Sequence, residues 1–272
     1  MNYRHSFHAG NFADLVKHAL VLWLLGRRQA TGPATVIDTH AGAGLYDLTG
    51  DAARSREAEA GVARLMAAVD RPPLIEALAR EVAALNPVGG VRFYPGSPVL
   101  VARRLRPEDR YVGFELNPPV LDLLTAALAR FPAAAARGGD GYDEAVSAAR
   151  QAPAAFVLID PPFERPDDYQ RAADAAAAIA ATNPAATVAV WTPLKDLETF
   201  DAFLRRLDAR GARGVLVAEA RLRPLRDPMR MNGCAMVVLN PPPGTDVAAR
   251  EICGWVVDAL GEPGGRAEVW TT

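Results

Sequence analysis

The sequence predicts an α/β fold, a mostly parallel sheet covered by helices on both faces, and three observations lead to it. Short apolar runs alternate with stretches of helical periodicity along most of the chain, the pattern of successive strand and helix units. The run 34–38 passes at once into Thr39-His40-Ala41-Gly42-Ala43-Gly44, a strand entering a glycine loop as nucleotide-binding α/β units do. The run 154–159 is apolar throughout, as a strand buried on both faces must be, and stops abruptly at Asp160-Pro161-Pro162-Phe163-Glu164.

Length and composition support one large domain. With 272 residues, 50% of them hydrophobic, the chain can bury a full core, so a single domain over residues 1–272 is expected. Lys+Arg number 30 against Asp+Glu 32, a formal charge of −2, so no overall basic field marks a nucleic-acid binder and any such surface must be local. Cys234 and Cys253 form neither a C-x-x-C pair nor a metal spacing, which suits a reducing cytoplasm. The early apolar run 19–25 is too short to span a bilayer and no cleavage site follows it, so a soluble cytoplasmic protein with no membrane partner is expected.

Taken in order, residues 1–28 read as an amino-terminal motif and a helix. Asn11 is placed to cap that helix, whose apolar face is Leu15, Ala19, Leu22 and Leu25. His5, His8, His18 and His40 are the four histidines; neither a cysteine nor a paired carboxylate completes a metal set, so hydrogen-bonded rings are expected and metal ligands are not. The loop after 34–38 offers only G-x-G, with Tyr46-Asp47 where a dinucleotide fold would place its third glycine. That argues against NAD and suits a small nucleoside such as S-adenosylmethionine. Asp38, Gly42, Gly44 and Glu115 are read as one nucleoside pocket, Glu115 being the strand-end acid that would hold ribose hydroxyls.

That acid comes late, at the end of the run 110–115, so an insertion intervenes. Residues 50–90 are expected to form a small helical subdomain, with Arg54, Glu57, Glu59, Arg64, Glu76, Arg80 and Glu81 on polar faces and Pro72-Pro73 as a break. A strand begins at Val91-Arg92-Phe93 and runs into Tyr94-Pro95-Gly96-Ser97-Pro98. Ser97 is there free to bind a ligand or, on spacing alone, to cap the next helix. Helices follow at 119–130, 142–150, 168–181, 197–210 and 246–260, and strands at 133–137, 187–191, 214–220 and 234–240. No helix separates the last two strands, so one of them should be antiparallel.

The Asp160 loop carries the chemistry. Prolines have no N–H, so carbonyls near Pro161 and Pro162 are released from strand pairing and can accept hydrogen bonds. Asp160 adds a carboxylate, and Phe163 a flat face on which a base could stack for roughly 1–3 kcal/mol. Such a set fits a planar exocyclic amine whose lone pair is turned toward an electrophile; a plain strand followed by a rigid turn is the structural alternative. Asn240-Pro241-Pro242-Pro243 resembles the same motif but lacks the aromatic residue and lies far from the glycine loop in topological order. Arg103-Arg104 and Arg221, Arg223, Arg226 and Arg230 could serve nucleic acid, with a solvated face as the default reading.

Tyr3-Arg4-His5-Ser6-Phe7-His8-Ala9-Gly10-Asn11, Lys17-His18, Asp38 to Gly44, Tyr94 to Pro98 and Asp160 to Glu164 together resemble the RlmJ family of 23S ribosomal RNA adenine-N6 methyltransferases, over essentially the whole chain. The resemblance implies a Rossmann-like methyltransferase with a small helical insertion, using S-adenosylmethionine to methylate an adenine of 23S ribosomal RNA. It further implies that His18, His40, Ser97, Glu115, Asp140 and Gly141 line the methyl-donor site, and that Asp160 sits between donor and base. Tyr3, His5 and Lys17 would surround the substrate entrance, where they have no evident core role. Phe163 departs from the family's usual tyrosine but keeps the ring. A monomer is expected. A DNA adenine-N6 methyltransferase would share the Asp160 motif but has little room here for a target-recognition domain, and a non-catalytic RNA-binding protein would have no use for that motif.

Overall fold

The computed structural model describes residues 8–49, 56–225 and 231–272. Helix α1 (Phe12–Gln29) opens the fold, capped by Asn11, whose side chain accepts from the Asp14 N–H at 3.0 Å. Strand β1 (Thr35–Asp38) leads into the glycine loop and then β2 (Leu45–Asp47). A π-helical turn, Glu59–Ala63, passes into α2 (Arg64–Ala67), and α3 (Pro73–Leu85) starts with proline at its first position, where no N–H is needed. Then come β3 (Phe93–Pro95), α4 (Ser97–Ala102), β4 (Arg110–Glu115), α5 (Pro118–Leu128), β5 (Ala134–Gly138), α6 (Gly141–Gln151) and β6 (Ala155–Ile159). The remainder is α7 (Asp168–Thr182), β7 (Thr187–Leu194), α8 (Leu197–Ala209), β8 (Leu216–Arg221), β9 (Gly233–Leu239), α9 (Thr245–Leu260) and β10 (Arg266–Thr271).

Among the described residues eight strands form one sheet in the order β10-β8-β9-β7-β6-β1-β4-β5. From β5 to β7 all neighbours are parallel, and β6 is buried at every position. β9 runs antiparallel to both β7 and β8, as the missing helix before it requires, and β10 then pairs antiparallel with β8. The sheet thus has its parallel body and its antiparallel end near the carboxyl terminus. The expected strand near Phe93 is present as β3, whereas β10 and β2, the antiparallel partner of β3, are additions that the sequence reading did not contain. Both are short or half-exposed, so neither shows a clean apolar period.

Two apolar cores flank the sheet. On one face α1, α9, α3 and the helices after β3 and β4 pack with Val36, Phe156, Leu158 and Met236; on the other α6, α7 and α8 pack with Ile37, Val157, Ile159 and Val190. Val62, Leu65, Ile75, Leu78 and Val82 between β2 and β3 join the first core. Glu81, expected on a polar face, is instead buried and bonded by Arg103 at 2.7 Å and Arg104 at 2.6 Å. Arg221 is likewise buried, against Glu219, and Arg223 pairs with Glu262 at 2.7 Å. These arginines are therefore engaged within the protein; Arg54, Arg226 and Arg230 lie outside the described residues. No described helix is long and apolar enough to cross a membrane.

Candidate active site

The chain runs from β1 to β4 and β5 on one side and returns through β6 on the other, so the order reverses beside β1. Ligands of open α/β sheets sit at the carboxyl ends of the strands flanking such a reversal. A cleft of about 720 Å³ opens there, lined by Thr39, His40 and Gly42 after β1, Glu115 and Leu116 after β4, Asp140 and Gly141 after β5, and Asp160 and Pro162 after β6.

The β1 loop turns sharply because Gly42 and Gly44 both take the left-handed backbone, with φ 64° and 77°. Gly42 N–H donates to Glu115 Oε2 at 3.2 Å and Asn117 N–H donates to Oε1 at 2.8 Å, which fixes the carboxylate on the cleft wall. Each oxygen retains a lone pair for a ligand hydroxyl. Gly44 is one layer back: its carbonyl accepts from Gly96 N–H at 2.9 Å. Asp140 caps α6 through the Tyr142 N–H and is bridged by Arg171 at 2.9 Å, and that guanidinium lies 4.4 Å from the Tyr142 ring centroid. Gly141 is obligatory, since a Cβ there would come 1.7 Å from the Thr39 carbonyl oxygen. His40 bonds Thr39 Oγ1 at 2.6 Å and presents its ring edge-on to Tyr142. Leu116 and Leu123, both exposed, supply an apolar wall.

Behind this cleft lies a buried polar layer. Asp38 is buried and accepts from Ser97 Oγ at 2.7 Å and Tyr111 Oη at 3.1 Å; burial, helped by the Asp160 charge, lifts its carboxyl to about 6 against these bonds. Ser97 is consequently no cap. It is the first residue of α4, makes no capping bond and is committed to Asp38. His18 is buried on α1, with Nδ1 2.8 Å from Tyr94 Oη. Asp38, Ser97 and His18 therefore support the cleft wall and are not among the residues lining it.

Lys17 overturns the expectation that it has no core role. Its side chain is 6% exposed and its ammonium lies 2.6 Å from Asp160 Oδ2 and 2.8 Å from Asp14 Oδ1. Burial opposes the charge, but the two carboxylates prevail and hold the lysine above its ordinary range. Asp160 is itself buried, and Lys17 takes Oδ2; among the described residues Oδ1 has no hydrogen-bond partner. Pro161 is buried and Pro162 faces the cleft.

The ring of Phe163, expected to offer an open face, is 6% exposed and packed against Tyr169 and Trp191, with centroids 4.4 and 5.9 Å away; its φ of 51° keeps the loop in a left-handed turn. Tyr3 and His5 lie outside the described residues. Asn240 is at the opposite end of the strands from Asp160, because β9 is antiparallel: Leu239 pairs with Val188 at the start of β7, and Asn240 Nδ2 donates to the Ala186 carbonyl. The sequence reading missed Asp14, Tyr142 and Arg171. Only Asp14 left a local signal, being three residues before Lys17 on the same helix.

A family model described as ribosomal RNA large subunit methyltransferase D, RlmJ, matches residues 31–272. Ribosomal RNA large subunit methyltransferase J of Escherichia coli K12 is 32% identical, across 99% of this chain and 98% of its own length. The protein of the same name from Haemophilus influenzae is 30% identical, across 96% and 94%. Among solved structures, protein LPL1258 of Legionella pneumophila matches with a TM-score of 0.89 at 24% identity, covering 97% of this chain and 98% of that one, a likeness of fold.

Proposed function

The chain belongs to the ribosomal RNA large subunit methyltransferase J family, and on that premise we propose that it methylates the N6 amino group of an adenine in 23S ribosomal RNA, using S-adenosylmethionine, as a cytoplasmic monomer. The observation that carries the reading is the placement of Asp160 and Pro162 on the same cleft as Glu115, Asp140 and Gly141. An amine site and a nucleoside site share one cavity.

The residues fit such a donor. Glu115 has acceptor capacity for ribose hydroxyls, Leu116 and Leu123 offer apolar surface for a purine, and Gly141 lets the backbone at the start of α6 come close. The volume is within the range of about 300–1,000 Å³ typical of small-molecule sites. When bound, the donor supplies a methyl group on a positive sulfonium and leaves as a neutral thioether, so no strong base is required.

The chain's own part is orientation. Asp160 Oδ1 accepts one N6 hydrogen of an unstacked adenine and a proline-loop carbonyl accepts the other, which turns the nitrogen lone pair toward the methyl group; after transfer the nitrogen sheds its surplus proton to water. Lys17 keeps Asp160 in place at Oδ2. Stacking on Phe163 requires the 161–164 loop to swing the ring out of its present packing.

Labelled S-adenosylmethionine with protein-free 23S RNA or with duplex DNA tests the reading: label is expected in the RNA, as N6-methyladenine. Asp160→Ala should lower the rate by at least about 100-fold, the cost of one positioned polar group at a reacting centre, while Asn240→Ala should leave it intact. Label confined to DNA, or full activity in Asp160→Ala, refutes the assignment.

A further inference from the structure

We infer that Glu57 and Asp14 are positioning residues for methyl transfer: the segment between β2 and β3 reaches the amine site through them and fixes the Lys17–Asp160 pair. The inference rests on the methyltransferase reading above. A continuous polar series supports it. Glu57 Oε1 is 2.8 Å from His8 Nδ1, and Oε2 accepts from Asn11 Nδ2 at 3.0 Å. Asn11 Oδ1 accepts from the Asp14 N–H, Asp14 Oδ2 accepts from the Gly10 N–H at 2.9 Å, and Asp14 Oδ1 takes Lys17, whose other bond is to Asp160.

The backbones are pressed together at the same place. Val62 N–H donates to the Gly10 carbonyl at 2.8 Å. A Cβ on Gly61 would lie 2.1 Å from the Gly10 oxygen and 2.8 Å from Asn11 Cα, so only glycine allows the approach. Gly10 matches it with φ 79°, its own would-be Cβ 2.8 Å from Val62 Cγ1. Gly61 and Val62 belong to the π-helical turn, an irregularity that concentrates at functional sites.

The electrostatics explain why the series bears on the reaction. One ammonium serves two carboxylates, so Asp14 draws Lys17 away from a single attachment to Asp160 and defines where Nζ sits. His8 is faced by Glu57, Asp14 and Glu164; its bond to Glu57, opposed by burial, holds it above its ordinary value. Glu57 is about one-third exposed, with 32% of its side chain accessible, so the core does not depend on it. Its carboxylate matters through where it holds Asn11, the helix cap six residues before Lys17.

Lys17 and Lys195 are the only lysines in the chain, which gives a direct probe. The intact protein and its Glu57→Ala variant are acetylated with limiting acetic anhydride, and the two lysines are compared by mass spectrometry. Lys17 is expected to be protected in the wild type and labelled severalfold faster, relative to exposed Lys195, in Glu57→Ala. In parallel, the single-turnover rate on 23S RNA should fall by about 10–100-fold, the scale of a reacting group displaced by about 1 Å, with unchanged donor affinity and melting temperature. Glu57→Gln, which keeps an acceptor for Asn11, should restore part of the rate, and Asp14→Asn should reproduce the loss. Glu59→Gln, altering an exposed neighbour, is the control. Wild-type protection of Lys17 in Glu57→Ala, or a rate loss matched by lost donor binding and melting temperature, overturns the inference. Acetylation needs no methyl transfer, so a wild type inactive on RNA would refute the proposed function while the labelling still decides the role of Glu57.

Discussion

Replacing Lys17 with methionine should destabilise the fold. The Lys17 side chain is 6% exposed, with its ammonium 2.6 Å from one carboxylate and 2.8 Å from another. Methionine fills most of the volume but removes the lysine's charge from between Asp14 and Asp160. Breaking a buried pair from one side costs about 3–5 kcal/mol, against about 0–1 kcal/mol for a solvent-exposed pair. Urea denaturation at neutral pH reads the difference. Because the folded pKa of Lys17 lies above its ordinary value of 10.5, the lysine's contribution is present below that pH and is lost only as pH climbs through the raised value. The gap between wild type and variant should therefore be flat from neutral pH to the ordinary lysine value. Adding Asp160→Asn to Lys17→Met should recover part of the loss, since the two residues are in contact and their effects cannot add. A loss below about 1 kcal/mol would mean that the pair opens to water in solution and that Lys17 does not hold Asp160 in place.

Glu115→Ala should weaken S-adenosylmethionine binding by roughly 1.5–3 kcal/mol per lost charged hydrogen bond; unchanged affinity by calorimetry removes Glu115 from the donor site. Gly141→Ala should abolish donor binding, because its Cβ would sit 1.7 Å from the Thr39 oxygen and push the start of α6 away; a tight-binding variant in isothermal titration contradicts this packing. Asp38 should titrate near 6, so its contribution to stability is fully present below its ordinary value of 3.8 and is lost as pH rises through about 6. Denaturation of Asp38→Asn beside wild type across that window should show the wild type losing about 3 kcal/mol relative to the variant, and parallel curves would show that Asp38 is not protonated in the fold.

Much of the architecture was legible because burial on both faces leaves a signature in consecutive residues. The run at β6 is apolar throughout and ends in Asp160, and the glycine loop after β1 follows its strand without a gap. Glu115 could be placed by sequence because it ends a strand of the parallel sheet, whereas Asp140 and Gly141, at the start of α6, were named only through the family resemblance. The half-exposed edge β10 and the three-residue strand β2 carry no period long enough to detect.

What sequence could not supply was the depth of a side chain behind the cleft. Ser97 looked like a cap because serine before a helix usually is one, but the nearest unsatisfied acceptor was the buried Asp38, on a different strand, and a carboxylate in a buried site outcompetes a solvated helix terminus. Lys17 reads from the sequence as a residue of the substrate entrance with no core role. Its two partners come from opposite kinds of information: Asp14 is three residues away on α1 and visible to anyone counting a helical turn, whereas Asp160 is 143 residues away and is brought there only when α1 packs across the end of β6. The same packing separates the two proline motifs. Asp160 and Asn240 both end strands of the central sheet, but the antiparallel direction of β9 puts Asn240 at the opposite end of the strands from the cleft, so only Asp160 can meet a nucleoside held by Glu115.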